Sequence, residues 1–286
     1  MHELSLLKFA DARKDYKDAK FVIIGIPFDV TASYRPGARF APDAIRSASW
    51  NFESWLFDYD IDLSEHGISD LGNVGQEEDS LSMYSNVKDL FGDLLNDEKI
   101  PVTFGGDHSI TIPIVDSFKD VSVIVIDAHL DFRNDFFGNK YSHASVSRRI
   151  ADHIGANNMV VIGVRSICKD EFHDAAKLGL NYISSYDILN DENSLWGNEA
   201  FNRISTKRLY LSIDIDGMDP AFAPGTGTPE PFGLTPYIVK KIIKKIGKQI
   251  VGMDITEVSP PFDNGNTAAL AARIARDGIA SRISGK

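Results

Sequence analysis

Three short stretches hold side chains that bind cations or move protons. GGDHS carries His108, DAHLD carries Asp127, His129 and Asp131, and DID carries Asp214 and Asp216. Each follows an apolar run: IPVTF, VSVIVI and RLYLSI. A strand turns residues i, i+2 and i+4 to one face, so each alternating set can converge on one point if the extended geometry persists. Four carboxylates crowded together repel one another and hold protons unless something cationic neutralises them. A pair of divalent metals does so, and two metals about 3.5–4 Å apart commonly activate a water for hydrolysis. Two imidazoles and four carboxylates, with no thiolate, favour Mn²⁺ and tolerate Zn²⁺, Co²⁺ or Ni²⁺. Singly, each stretch has a plainer reading. His108 after two glycines can be a turn histidine or part of a phosphate loop, and Asp214 with Asp216 can be a solvated or helix-capping pair. Their joint placement at the ends of separate buried strands favours the metal.

The elements that must position them are short β-branched runs: FVIIGI at 21 to 26, IPVTF at 100 to 104, VSVIVI at 121 to 126, MVVIGV at 159 to 164, RLYLSI at 208 to 213 and QIVGMDI at 249 to 255. Continuous apolar runs of this length read as strands buried on both faces of a parallel sheet. Between them lie helical patterns: PDAIRSASWNFESWLF, with Pro42 at a plausible first position, SLSMYSNVKDLFGDLLNDE, SHASVSRRIADHI, TPYIVKKIIKKIG and NTAALAARIARDGIAS. The alternation predicts an α/β fold, a central, mostly parallel sheet with helices on both faces. Ligands bind such sheets at the carboxyl ends of the strands, where the acids and histidines lie. No repeat or Ser/Gly linker divides the chain, so residues 1–286 are expected to form a single domain. The Gly- and Pro-rich stretch from 217 to 236 is expected to be a wall of the site.

Composition narrows the class. A chain with 43% hydrophobic and 25% charged residues can bury a large core. Its net charge of −11 has the wrong sign for a nucleic-acid binder and suits a small cationic substrate. Cys168 is the only cysteine, so no internal disulfide forms and a reducing compartment is expected. The N-terminal stretch lacks the apolar core of a signal peptide, and no run approaches the roughly 20 residues of a membrane helix. A cytoplasmic protein without a membrane partner is expected. His2, His66, His153 and His173 lie outside such strand-end clusters and read as surface or packing residues.

GGDHS, DAHLD, SIDIDGMDPAFAPGTGTPEP and GMDITEVSPPFD, in this order and with the earlier SYRPGARFAPDAIR, resemble the ureohydrolase family of arginases and agmatinases. The similarity runs from about Gly25 to Ala275 and is nearest to microbial agmatinases. The resemblance implies a three-layer αβα fold and two Mn²⁺ ions, one held by His108, Asp131 and the shared Asp127 and Asp214, the other by His129, Asp216 and the same two shared carboxylates. It implies that Asp131 and His143 handle protons, although Ala144 departs from the common His-Gly. Glu257 would grip the guanidinium and Asp254 would support the ligands. Arg35, Arg39 and Arg46 read equally as staples of a loop. Phe232 would narrow the pocket or pack its wall. Relatives form trimers or hexamers, so a homotrimer or homohexamer is expected.

Arginases resembling this chain place Asn and Ser where it has Arg133 and Asn139, so their amino-acid headgroup site is not evident. Agmatine, cleaved to putrescine and urea, fits best by resemblance. Guanidinobutyrate, guanidinopropionate, arginine and guanidine stay open, because Arg133 can meet a carboxylate or point outward. A metal-binding protein without catalysis, acting through assembly, is the alternative from another class; a nucleotide binder is weaker, since FVIIGIPFDV offers no GxGxxG turn.

Overall fold

A computed structural model of the chain describes residues 7–285, so His2 lies outside the described residues. Among them, eight strands form one sheet: β1 (Phe21–Gly25), β2 (Ile68–Asn73), β3 (Ile100–Phe104), β4 (Ser122–Ile126), β5 (Met159–Val164), β6 (Asn181–Ser184), β7 (Leu209–Asp214) and β8 (Ile250–Thr256). Their spatial order is β2-β1-β3-β8-β7-β4-β5-β6, and every pairing is parallel. The expected three-layer αβα architecture is borne out.

Alternation along the buried strands shows why the runs are continuous rather than half polar. In β4, Ile124 and Ile126 join the core on one face, while Val123 and Val125 join the core on the other. The first core is closed by the helices Ala41–Ser49, Pro236–Ile246 and Asn266–Ser284, and the second by Ser80–Asn96 and Val146–Ile154. Each helix turns its apolar stripe inward, and the helices Ala41–Ser49 and Asn266–Ser284 also bury the charged Arg46, Arg276 and Asp277. No helix of the described residues is long and apolar enough to cross a membrane.

The structure departs from the sequence reading at the sheet edges, in one helix that stops short and in helices it did not name, such as Lys169–Leu178 and Glu199–Ile204. The edge strands β2 and β6 were absent from it, because ISDLGN and NYIS are half-exposed and carry no continuous apolar run. The helix read over PDAIRSASWNFESWLF stops at Ser49. There the Ser49 hydroxyl donates to Arg46 O (2.6 Å) and accepts the Ala10 amide (2.9 Å), and Leu56 pairs with Ile61 in a small antiparallel ladder.

Candidate active site

Each candidate side chain follows a central strand except His143, which opens the turn His143–Ser145 ahead of the helix Val146–Ile154. β3, β8, β7 and β4 are consecutive neighbours in the sheet, so residues distant in sequence emerge side by side. Beyond β3, Gly105 and Gly106 lead into the short helical turn His108–Ile110. A Cβ on Gly106 would stand 1.7 Å from Phe28 O, so only glycine admits the loop that follows β1. Asp127, His129 and Asp131 follow β4. Asp214, the last residue of β7, accepts the Asp216 amide at 2.9 Å. Past β8 lies Glu257. Asp131 and Glu257 have φ of 50° and 60°, a left-handed conformation that costs a non-glycine residue about 1–3 kcal/mol and is found where a side chain must be aimed.

The aim is mutual. His108 Nδ1 lies 3.2 Å from Asp127 Oδ2, 3.2 Å from Asp131 Oδ2 and 3.4 Å from Asp214 Oδ2. His129 Nδ1 lies 3.1 Å from Asp216 Oδ2 and 3.6 Å from Asp127 Oδ1. Two groups that could hold a metal ion result, His108–Asp127–Asp131 and Asp127–His129–Asp216. Asp127 belongs to both. Its Oδ2 is buried without a hydrogen-bond partner, although it lies 3.2 Å from His108 Nδ1. A buried carboxylate oxygen so placed fits a cation. Asp214 reaches the first group through Oδ2.

Left to themselves, these groups share protons. Burial and the charge of Asp127 push the Asp131 carboxyl up to about 7. Burial, then Asp216 and Asp127, holds Asp214 well above the carboxylate range, and burial with the charge of Asp107 does the same to Glu257. Burial works against a charged His108 or His129, but the surrounding aspartates prevail and both imidazoles stand well above their usual value. Asp216 goes the other way: burial would raise it, yet the His129 charge lowers it. Divalent ions would replace those protons.

A second layer braces the first. Asp254 accepts from Tyr210 Oη and Ser212 Oγ, both at 2.7 Å, and from Thr111 Oγ1 at 2.9 Å. Ser212 Oγ lies 3.0 Å from His108 Nε2, so Asp254 orients that imidazole through a serine. Glu257 Oε1 accepts the His108 amide at 2.8 Å. His143 stands on the cleft wall with Ser33, Arg133, Phe136, Glu171, Thr228 and Glu257, and burial lowers its pKa. Opposite, Thr228 Oγ1 donates to Asp216 Oδ2 (3.0 Å), which makes the stretch 217–236 a wall as expected. Arg165, half-buried behind it, donates to the carbonyls of Gly163, Asp216, Gly217, Met218, Glu230 and Pro231.

Other residues named from sequence have structural duties. Arg39 Nε donates to Asp29 Oδ1 (2.5 Å), and Arg46 binds Asp70 through Nε (2.8 Å) and Nη2 (2.9 Å), so the staple reading fits both. Arg35 lies over the rings of Tyr34 and Phe262. Asn139 donates to Ser80 Oγ and accepts the Tyr141 amide. Phe232 is exposed, with Tyr186 beside it. Ser212, Thr31, Glu171, Thr228 and Arg165 escaped the sequence reading. Ser212 alone had a signal, its position two before Asp214 on one face of β7.

The arginase-family profile matches residues 19–280. The chain belongs to the arginase family. An agmatinase of Pyrococcus horikoshii is 37% identical over 269 residues, spanning 91% of this chain and 91% of that protein. The N(1)-aminopropylagmatine ureohydrolase of Thermococcus kodakarensis is 37% identical over 264 residues, 90% of this chain and 88% of its own. The crystal structure of the agmatine ureohydrolase of Thermoplasma volcanium matches with a TM-score of 0.91 at 42% identity, covering 99% of this chain and 96% of its own. The expected class, an agmatinase-like ureohydrolase, is thereby borne out within the arginase family.

Proposed function

We propose that this protein hydrolyses the guanidinium group of agmatine to urea and putrescine at a binuclear manganese centre. The observation that carries the reading is the convergence of His108 and His129 on the two oxygens of Asp127, one group on each side. His108, Asp131, Asp127 and Asp214 would hold one ion, and His129, Asp216, Asp127 and Asp214 the other. The donor set fits Mn²⁺ and admits Ni²⁺, Co²⁺ or Zn²⁺. When bound, the pair supplies positive charge and a water of lowered pKa.

The chain's own groups do the rest. One oxygen of Glu257 is occupied by the His108 amide, which leaves the other to receive the guanidinium N–H groups. Asp131, on the cleft wall, moves a proton to the nitrogen that departs when the C–N bond breaks. His143 exchanges protons between cleft and solvent. The acidic cluster favours a cationic substrate. The chain would act in the cytoplasm as one domain, in a homotrimer or homohexamer.

Urea release by the Mn²⁺-loaded protein from agmatine, arginine, guanidinobutyrate, guanidinopropionate and guanidine at matched concentrations tests this. Agmatine is expected to lead. Silence on all five, repeated with Ni²⁺, Co²⁺ and Zn²⁺, would favour the non-catalytic metal-binding reading. Asp131→Asn is expected to keep the fold and lose turnover.

A further inference from the structure

We infer that Thr31 fixes the proton of His143 on Nδ1 and thereby makes the other ring nitrogen, Nε2, a proton acceptor facing the cleft. The inference rests on the proposed role of His143 in moving protons at the cleft. Thr31 lies in the loop beyond β1, and its hydroxyl has three polar neighbours: Asp107 Oδ2 at 2.8 Å, the His143 amide at 3.0 Å and His143 Nδ1 at 3.2 Å. A hydroxyl has one proton and two lone pairs, so the three contacts cannot all run the same way.

Asp107 decides the direction. Its Oδ1 accepts from Ser109 N and Ser109 Oγ, and its Oδ2 accepts from Thr31 N (3.0 Å). Three other donors already aim at its two oxygens, which marks an acceptor-only carboxylate that takes the Thr31 proton. Only lone pairs of Thr31 Oγ1 then remain for His143. The amide N–H takes one, and the contact to Nδ1 is a hydrogen bond only if Nδ1 carries hydrogen. Ser142 Oγ, at 3.5 Å from Nδ1, is the more distant hydroxyl and already accepts the Ala144 amide.

A neutral imidazole has a single N–H, so Nε2 presents a lone pair. Ser33 Oγ lies 3.3 Å from it at an exposed position on the cleft wall, able to donate where a protonated substrate nitrogen would. Phe136 meets the ring edge-on, with centroids 5.6 Å apart, and limits its rotation. Thr31 is therefore a positioning residue: it acts on the reaction through His143.

The test is ¹⁵N-histidine NMR of the full chain loaded with diamagnetic Zn²⁺, with the His143 signals assigned by their loss in His143→Asn. The wild type is expected to show a protonated Nδ1 and an unprotonated Nε2. Thr31→Val should lose that pattern, whereas Thr31→Ser should keep it. In the Mn²⁺-loaded enzyme, Thr31→Val should lower kcat about tenfold or more with little change in KM, and Thr31→Ser should restore it. A wild-type proton on Nε2, or an unchanged pattern in Thr31→Val, overturns the inference, as does a serine variant as slow as the valine one. Should the valine variant fail to fold, the wild-type and serine spectra decide alone. If no guanidino compound is turned over, the proposed function fails while the NMR still assigns the tautomer.

Discussion

Arg133 Nε stands 3.5 Å from Glu171 Oε2 on the cleft wall, and the two charges offset each other there. Glu171 is buried and held by two backbone donors, Phe132 N at 3.0 Å and Cys168 N at 3.2 Å. The Arg133 guanidinium lies over the Phe136 ring, and its outer N–H groups have no hydrogen-bond partner among the described residues. The arginine is the movable member of the pair.

Removing the carboxylate should free that arginine for acidic substrate tails. In Glu171→Gln the ratio of kcat/KM for guanidinobutyrate to that for agmatine is expected to rise roughly fivefold, the factor that ~1 kcal/mol from a part-exposed pair gives. Competition assays with the two substrates measure it. A ratio that stays put would show that neither residue touches the tail.

Ser212→Ala removes the hydroxyl that links His108 to Asp254. Losing an orienting partner of this kind weakens metal binding about 10- to 100-fold. Calorimetric Mn²⁺ titration of the two proteins is the measurement, and equal affinities would refute the link.

Glu257→Gln keeps the shape of the side chain and its acceptor for the His108 amide but removes the charge. We expect kcat/KM for agmatine to fall about thirtyfold or more, as ~2 kcal/mol of lost charge pairing implies, with metal content unchanged. Metal analysis beside the kinetics separates the two effects.

Stripped of metal by a chelator, the protein should become less stable as pH rises. The folded-state pKa of Asp131 is raised to about 7, and those of Asp214, Glu257, His108 and His129 are raised well above their usual values. A raised group binds more protons folded than unfolded, so stability falls with pH between its two values. For Asp131 that window runs from about 4 to about 7, and for the histidines it opens at about 6.5. Asp216, lowered, opposes this only in strong acid, and His143, lowered by burial, opposes it below about 6.5, one group against the several that are raised. The Mn²⁺-loaded protein should show the reverse trend across pH 5 to 7, because acid displaces the ions. Thermal melts of both forms across this range test the crossing.

How much of this could be read from the chain depended on how many faces of each segment are buried. β3, β4, β5, β7 and β8 are covered on both sides, so their apolar runs are unbroken and the acids and histidines beyond them stand out. β2 breaks the pattern because Asp70 is spent on Arg46, and β6 because three of its four residues are only half-buried. Within the site, metal-binding side chain types advertise themselves, whereas Thr31, Glu171 and Arg165 act through partners far away in sequence. Arg165 has no carboxylate within ion-pair distance among the described residues and uses only backbone carbonyls, a role that no local pattern encodes.

The position of β8 also bears on how the molecule is made. It comes last of the strands in the chain, yet it lies between β3 and β7. Without residues from 250 on, the pairings leave two half-sheets, β2-β1-β3 and β7-β4-β5-β6, which meet only through β8. His108 belongs to the first half, and the aspartates and His129 to the second. The ion that His108 would help to hold awaits the insertion of the final strand, which also closes two aggregation-prone edges, whereas Asp127, His129, Asp214 and Asp216 all lie in the second half.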